Sequence, residues 1–371
     1  MKVVSAVGAR PNFVKIAPII EEMRTHPELT SHLVHTGQHY GRPMSESFFE
    51  DLHLPPPDAY LNVGSGRPGE QTGRIIAGFE KYLERTRPDL VIVVGDVNST
   101  VACGLAAVKL QIRVAHVEAG LRSFDRGMPE EINRVLTDHI SHLLFTTEES
   151  AGANLRREGI PQESIHFVGN VMVTTLLKNL DRAKNRPVLA RLALRPREYV
   201  LVTLHRPENV DDRATLSGLI EALCRLSRVR PILFPIHPRS RQRLAASDLA
   251  GRVRTYPAVR IIDPLGYLDF LHCMANAALV ITDSGGVQDE STALGVPCLT
   301  ARDNTERPVT TTIGTNTLVG RRADRLLAEA VRVLDGHVRP SGMPPRWDDK
   351  VAVRIVDIVL ETASHHGADD V

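Results

Sequence analysis

HVEAGLRSFDRGMPEEINR, residues 116–134, is where this chain turns from apolar to chemical. The run leading into it, Arg113-Val114-Ala115-His116-Val117, is short and apolar and reads as a buried strand. Open α/β sheets bind ligands beyond the carboxyl ends of their strands, and this strand delivers Glu118 there. Pro129 then opens a helix, proline being favoured at a first helical position. Ile132, Val135, Leu136 and Ile140 are spaced to share its core face, which leaves Glu130, Asn133 and Arg134 on the opposite side, open to a ligand. Glu118 and Glu130 are therefore candidates for acid–base chemistry. The helix macrodipole alone would favour acids in a first turn, so a further acid nearby is needed to give the pair meaning. Val91-Ile92-Val93-Val94-Gly95-Asp96 supplies one. It is a continuous apolar run followed by Asn98, Ser99 and Thr100 at the next helix start, and it reads as an adjacent strand with Asp96 at its carboxyl end.

The same alternation recurs outward from this segment. Strand-like runs at 2–7, 31–36, 89–95, 113–117, 143–146 and 165–168 are separated by helical patterns, the mark of a parallel sheet covered on both faces. An Arg/Pro-rich stretch within 171–198 leads to a second α/β series, with strands expected at 199–204, 231–236, 259–262, 278–282 and 297–300 and a closing amphipathic helix near 349–362. A chain of 371 residues exceeds the usual ceiling for one hydrophobic core. Two α/β domains are expected, 1–170 and 171–348, and a central cleft between them is the default site. A hydrophobic content of 42%, a charged content of 24% and a net charge of +1 leave no electrostatic footprint for nucleic acid or a membrane surface. Cys103, Cys224, Cys273 and Cys298 lie in apolar stretches without CxxC spacing and read as buried thiols of a reducing compartment. The first apolar run is too short for a signal peptide and no segment is long enough to span a bilayer, so a cytoplasmic protein is expected.

Two stretches suit phosphate. The first strand runs into Gly8-Ala9-Arg10-Pro11-Asn12-Phe13, then a helix with Phe13, Ile16, Ala17 and Ile20 inward. A dinucleotide fold would carry its glycine fingerprint here, but only Gly8 is present, so no nicotinamide or flavin cofactor is expected. Arg10 and Lys15 instead set two cations near a positive helix end. The stronger feature is ITDSGGVQDES, residues 281–291, in which strand, polar turn and glycine pair lead straight into a helix. Ser284, Gly285 and Gly286 can bring backbone N–H groups to an anion with no Cβ in the way. A plain strand-to-helix turn would carry the same glycines. Glu290 argues for more, because it falls on the helix's inner side, where an unpaired carboxylate is costly and a hydroxyl-rich ligand would satisfy it. Arg307, in the loop Asn304-Thr305-Glu306-Arg307-Pro308, is available as a further diphosphate contact. His205 ends the strand 199–204, and His237 ends the next one similarly. With no Walker lysine and no paired-aspartate motif, no metal is expected.

The stretches GARPNFVKIAPI (8–19), HTGQHYG (35–41), VVGDVNST (93–100), HVEAGLRSFDRGMPEEINRVLTDH (116–139), VTLHRPENV (202–210), ITDSGGVQDESTALGVPCL (281–299) and NTERP (304–308) together resemble the non-hydrolysing UDP-N-acetylglucosamine 2-epimerases across nearly the whole chain. The resemblance implies two Rossmann-like domains with a UDP-sugar between them, as in the two-domain GT-B glycosyltransferases, a C-terminal helix at about 349–371 that crosses back to the first domain, and a homodimer. It implies reversible inversion of carbon 2 of UDP-N-acetylglucosamine to give UDP-N-acetylmannosamine, through elimination and re-addition of UDP with a 2-acetamidoglucal intermediate, for cell-surface polysaccharide synthesis. By motif it implies catalytic roles for Asp96, Glu118, Glu130 and His205. It implies UDP binding by Arg10, Lys15, Phe270, Ser284, Gly285, Gly286, Glu290 and Arg307; Phe270 by its residue pattern alone would be core. Tyr40–Ser45 and Ser123–Met128 differ from the relatives that hold a second, activating UDP-N-acetylglucosamine, so turnover without an activator is expected. The chain also resembles relatives acting on 2,3-diacetamido uronic sugars. A hydrolysing epimerase and a GT-B glycosyltransferase are the competing readings.

Overall fold

The computed structural model describes residues 1–37 and 48–366, so the stretch Tyr40–Ser45 lies outside the described residues. The chain forms two compact units, Met1–Lys178 with the segment from Pro345 onward, and Asn179–Pro344.

In the first unit the strands β1 (Lys2–Val7), β2 (Thr30–His35), β3 (Ala59–Tyr60), β4 (Leu90–Val94), β5 (Arg113–Ala119), β6 (Leu143–Thr146) and β7 (Ile165–Phe167) form one sheet in the order β3-β2-β1-β4-β5-β6-β7. Every pairing is parallel. β4 is buried along its whole length, which is why it reads as an unbroken apolar run. Helix Pro68–Thr86 covers one face by inserting Ile75, Phe79 and Leu83, spaced at i and i+4. The closing helix Val351–His366 packs on helix Arg10–Met23. The first unit runs past the expected boundary at 170 because helix Val171–Lys184 is anchored in it. Thr175 Oγ1 donates to Val14 O at 2.6 Å and Thr174 Oγ1 to Asp348 O at 2.8 Å.

The second unit repeats the plan with β8 (Val200–Thr203), β9 (Ile232–Pro235), β10 (Val259–Ile262), β11 (Leu279–Thr282), β12 (Cys298–Thr300) and β13 (Asn316–Leu318), ordered β10-β9-β8-β11-β12-β13 and again parallel. Its core is built on helix Arg213–Leu226, which buries Leu216, Leu219, Ile220, Leu223 and Leu226 and is capped by Asp212 accepting from Thr215 N at 2.8 Å. The edge strands β3 and β13 were not expected. At two and three residues they are too short to show a period.

Both sheets are doubly wound, with the strand order reversing between β1 and β4 in one unit and between β8 and β11 in the other. Such a reversal opens a crevice at the carboxyl ends of the two strands. Gly8 and Gly95-Asp96 follow the first pair; His205 and Asp283-Ser284 follow the second.

Candidate active site

In the first unit, the strand ends gather Lys15, Gly95, Asp96 and Glu118. The pairing of β5 with β6 shifts register between Val117 and Ala119, and Glu118 at the irregularity has φ +74°. Left-handed backbone costs an L-residue about 1–2 kcal/mol, and a bulge re-aims a side chain. Here it turns the Glu118 carboxylate inward, where the buried Lys15 Nζ donates to it. Gly95, at φ +69°, makes the space. A Cβ there would stand 2.7 Å from Lys15 Nζ and 3.3 Å from Glu118 Oε2. Lys15, expected at a phosphate, is thus the partner of an acid. Asp96 Oδ2 accepts from Arg134 Nη1 at 3.1 Å, and its backbone oxygen from Asn133 Nδ2 at 2.9 Å. The side chain of Arg10 is not among those described, although the residue begins its helix at the end of β1.

Helix Pro129–Ile140 is turned opposite to the sequence expectation. Glu131, Arg134, Thr137 and Asp138 face inward, whereas Ile132 and Leu136 are 40% and 50% exposed. The reason lies in what the inward face meets. Glu131 accepts from Ser123 N (3.0 Å), Ser123 Oγ (3.0 Å), Phe124 N (2.8 Å) and Arg134 Nε (3.2 Å). Arg134 bridges on to Asp96, and Asp138 binds His116 and Arg122 at 2.7 Å each. Buried polar groups that are paired in this way cost less to bury. Sequence reasoning therefore missed Glu131, which ties down the loop 121–128, and took Arg134 as open to a ligand when it is buried. Glu130 is half-buried in the first helical turn and, among the described residues, makes no hydrogen bond or ion pair.

In the second unit, His205 is oriented by a residue the sequence did not single out. Asp283, fully buried at the end of β11, lies 3.0 Å from His205 Nδ1 and accepts from His205 N (2.9 Å), Arg206 N (2.9 Å) and Asn209 Nδ2 (3.0 Å). Burial would raise its pKa, but His205 and these donors reverse the effect and hold it below the ordinary carboxylate range. The only advance signal was its position at a strand end before the glycine pair. His237 stacks obliquely on His205, with ring centroids 5.5 Å apart.

Ser284 is the N-cap of helix Gly285–Ala293, with Gly285 and Gly286 in its first turn. Gly285 leaves room for its neighbours: a Cβ would fall 2.4 Å from Arg307 Nη1 and 2.7 Å from Glu306 Oε1, so a side chain there would displace both. Arg307 is therefore beside the helix start, as the motif implied, but buried in a network where the sequence suggested an open loop. Its Nε donates to Asp289 Oδ2 at 2.7 Å and its Nη1 to Glu306, which also accepts from Arg302 Nη2 at 2.7 Å and lies 3.8 Å from Arg206 Nη2. Arg206, Arg302 and Arg307 thus gather at a positive helix end, held in place by Glu306 and Asp289, an arrangement suited to an anion. Within the same helix, burial and then the Asp289 charge push the Glu290 carboxyl up to about 8, against the lowering effect of a hydrogen bond from Tyr267. Tyr267 and the half-buried Phe270 share helix Tyr267–Ala275, one turn apart.

Two doubly wound α/β units, one with carboxylates paired to cations at its strand ends and the other opening a Gly-Gly helix beside guanidiniums, place the chain in a class of two-unit α/β proteins carrying acid–base groups and an anion-suited helix end. Comparison with known proteins narrows the class. The family described as UDP-N-acetylglucosamine 2-epimerase matches residues 21–360. A UDP-N-acetylglucosamine 2-epimerase of Methanocaldococcus jannaschii is 46% identical over 97% of this chain and 99% of its own. A crystal structure of a Methanocaldococcus jannaschii UDP-N-acetylglucosamine 2-epimerase in complex with UDP-N-acetylglucosamine and UDP, 46% identical, superposes with a TM-score of 0.91, covering 97% of this chain and 100% of that one. A UDP-2,3-diacetamido-2,3-dideoxy-D-glucuronate 2-epimerase of Pseudomonas aeruginosa is 40% identical over 92% of this chain and 95% of its own. The chain belongs to the UDP-N-acetylglucosamine 2-epimerase family.

Proposed function

We propose that this protein interconverts UDP-N-acetylglucosamine and UDP-N-acetylmannosamine by eliminating and re-adding UDP. The observation that carries the reading is the pairing of Glu118 with Lys15 and of Asp96 with Arg134 at neighbouring strand ends. Carbon 2 carries no carbonyl to acidify its proton, and a direct exchange has no driving force. Elimination supplies one: a carboxylate removes the C2 proton, the C1–O bond breaks with its electron pair leaving on UDP, and a C1–C2 double bond forms. A second acid then protonates C2 on the opposite face while the UDP oxygen re-attacks C1. Asp96, Glu118 and Glu130 are the acid–base set, and general acid–base groups contribute typically about 10²–10⁴-fold each.

UDP is the ligand of the second unit. Arg307, the Gly285–Gly286 helix end and Ser284 take the diphosphate, while Glu290 and Phe270 complete the nucleoside contacts. Near neutral pH the Glu290 carboxyl is mostly protonated, so it offers both a donor and an acceptor to hydroxyls. His205, aligned by Asp283, acts at the diphosphate as charge develops there. Lys15 serves Glu118.

Incubation with UDP-N-acetylglucosamine in deuterated water, followed by proton NMR, tests the reading. Appearance of UDP-N-acetylmannosamine with deuterium at C2 is expected. Free sugar in solution would favour hydrolysis, and an inert substrate would favour a transferase; either result would overturn the proposal. The Pseudomonas relative favours a second reading, the same C2 inversion on a UDP-2,3-diacetamido uronic sugar, which the same assay separates by substrate.

The setting belongs to the proposal too. Four buried, unpaired thiols fit a reducing cytoplasm, and the product fits a supply of precursors for cell-surface polysaccharide. Among the described residues no helix is long and apolar enough to cross a membrane. The outward apolar row Ile132 and Leu136 is best accounted for by a second copy of this chain, giving a homodimer.

A further inference from the structure

His116 is completely buried in β5, two residues before Glu118, and both of its ring nitrogens face oxygen atoms. Nδ1 lies 2.7 Å from Asp138 Oδ1 and Nε2 lies 2.8 Å from Gly95 O. A carbonyl oxygen can only accept. Asp138 is also committed as an acceptor, because its Oδ2 takes Gly120 N at 3.1 Å and Arg122 Nη1 at 2.7 Å. Burial alone would raise the Asp138 carboxyl, but His116 and Arg122 reverse this and hold it below the ordinary range. A neutral imidazole has one N–H and could satisfy only one of its two partners; a ring that donates to both carries two. Charge balance agrees: His116 and Arg122 face Asp138 and Glu158, the last bound by Arg122 at 2.8 and 2.6 Å.

What this pair holds is the acid set. Asp138 is tied to residues 116 and 120, so one carboxylate grips the chain on both sides of Glu118, whose left-handed backbone would otherwise relax. The other end of the ring fixes Gly95 O, and Gly95 N in turn donates to Val117 O at 3.0 Å, which sets the turn that carries Asp96. We propose that His116 and Asp138 are a positioning pair for the epimerisation, with a doubly protonated ring donating to Asp138 and to Gly95 O so that Glu118 and Asp96 are held in one fixed geometry. Neither residue touches substrate. The inference rests on the proposed function for its kinetic part only.

Two measurements test it. Neutron diffraction from crystals of the wild-type protein should find hydrogen on both ring nitrogens of His116 and none on Asp138; a bare ring nitrogen overturns the proposal whether or not any variant folds. His116→Gln and Asp138→Asn should each lower kcat by about 100-fold, the scale of a small misplacement of catalytic groups, with KM and calorimetric UDP affinity near wild type. Wild-type kcat in folded His116→Gln overturns the proposal, as does a loss carried entirely by KM. An inactive wild-type protein would instead refute the proposed function, and the neutron result would still decide the state of the ring.

Discussion

Glu290→Gln should change the pH dependence of stability in a calculable way. The carboxyl is 5% exposed, and burial followed by the Asp289 charge raises it from 4.5 to about 8 in the folded chain. Because the folded value is the higher one, the folded state holds a proton the unfolded state has released throughout that window. The associated stability is complete below 4.5 and is lost as pH rises through about 8. At about 1.4 kcal/mol per pH unit, the whole window corresponds to about 5 kcal/mol, and about 4 kcal/mol of it falls between pH 5 and pH 9. The amide of the variant would keep the shape of the carboxyl and carry no charge. Urea unfolding followed by circular dichroism, across a series of buffers, is the assay. Near pH 5 the two proteins should be of similar stability, and by pH 9 the variant should exceed wild type by several kcal/mol. Stability curves that stay parallel across the series would refute the argument that burial keeps this carboxyl protonated.

The other predictions concern the acids, a glycine and the outer face of the helix 129–140. Asp96→Asn, Glu118→Gln and Glu130→Gln should each lose about two to four orders of magnitude in turnover while keeping calorimetric UDP affinity, and near-normal turnover would remove that residue from the mechanism. Gly95→Ala puts a methyl 2.7 Å from Lys15 Nζ at φ +69°, so it should cost about 1–3 kcal/mol in unfolding free energy and depress kcat by separating Lys15 from Glu118; an unchanged kcat would refute the role of that pair. Leu136→Glu should convert the dimer to a monomer in sedimentation equilibrium, and a wild-type protein that is already monomeric would rule out the proposed interface. Turnover started from pure UDP-N-acetylmannosamine should show no lag, whereas a lag removed by trace UDP-N-acetylglucosamine would reveal an activating site.

Apart from the short edge strands β3 and β13, the strands of both sheets were legible because buried parallel strands are written as apolar runs, and their carboxyl ends led directly to Asp96, Glu118, His205 and Ser284. What a sequence does not encode locally is partnership. Lys15 meets Glu118 across 103 residues and His205 meets Asp283 across 78, so each looked like an isolated group on its own element. The helix 129–140 makes the limit specific. Its period separates an apolar row from a polar one correctly, but period alone does not say which row faces inward. The usual assumption, apolar inward, fails here because the segments beneath the helix already present His116, Arg122, Ser123 and Asp96, and Glu131, Arg134 and Asp138 are the helix residues that pair with them. Ile132 and Leu136 are turned outward as a consequence, whereas Val135 and Ile140 stay half-buried. Burial of a polar helix face against an acid-bearing strand end and exposure of Ile132 and Leu136 are therefore one structural fact, linking the active-site scaffold to the surface proposed for a second copy of the chain.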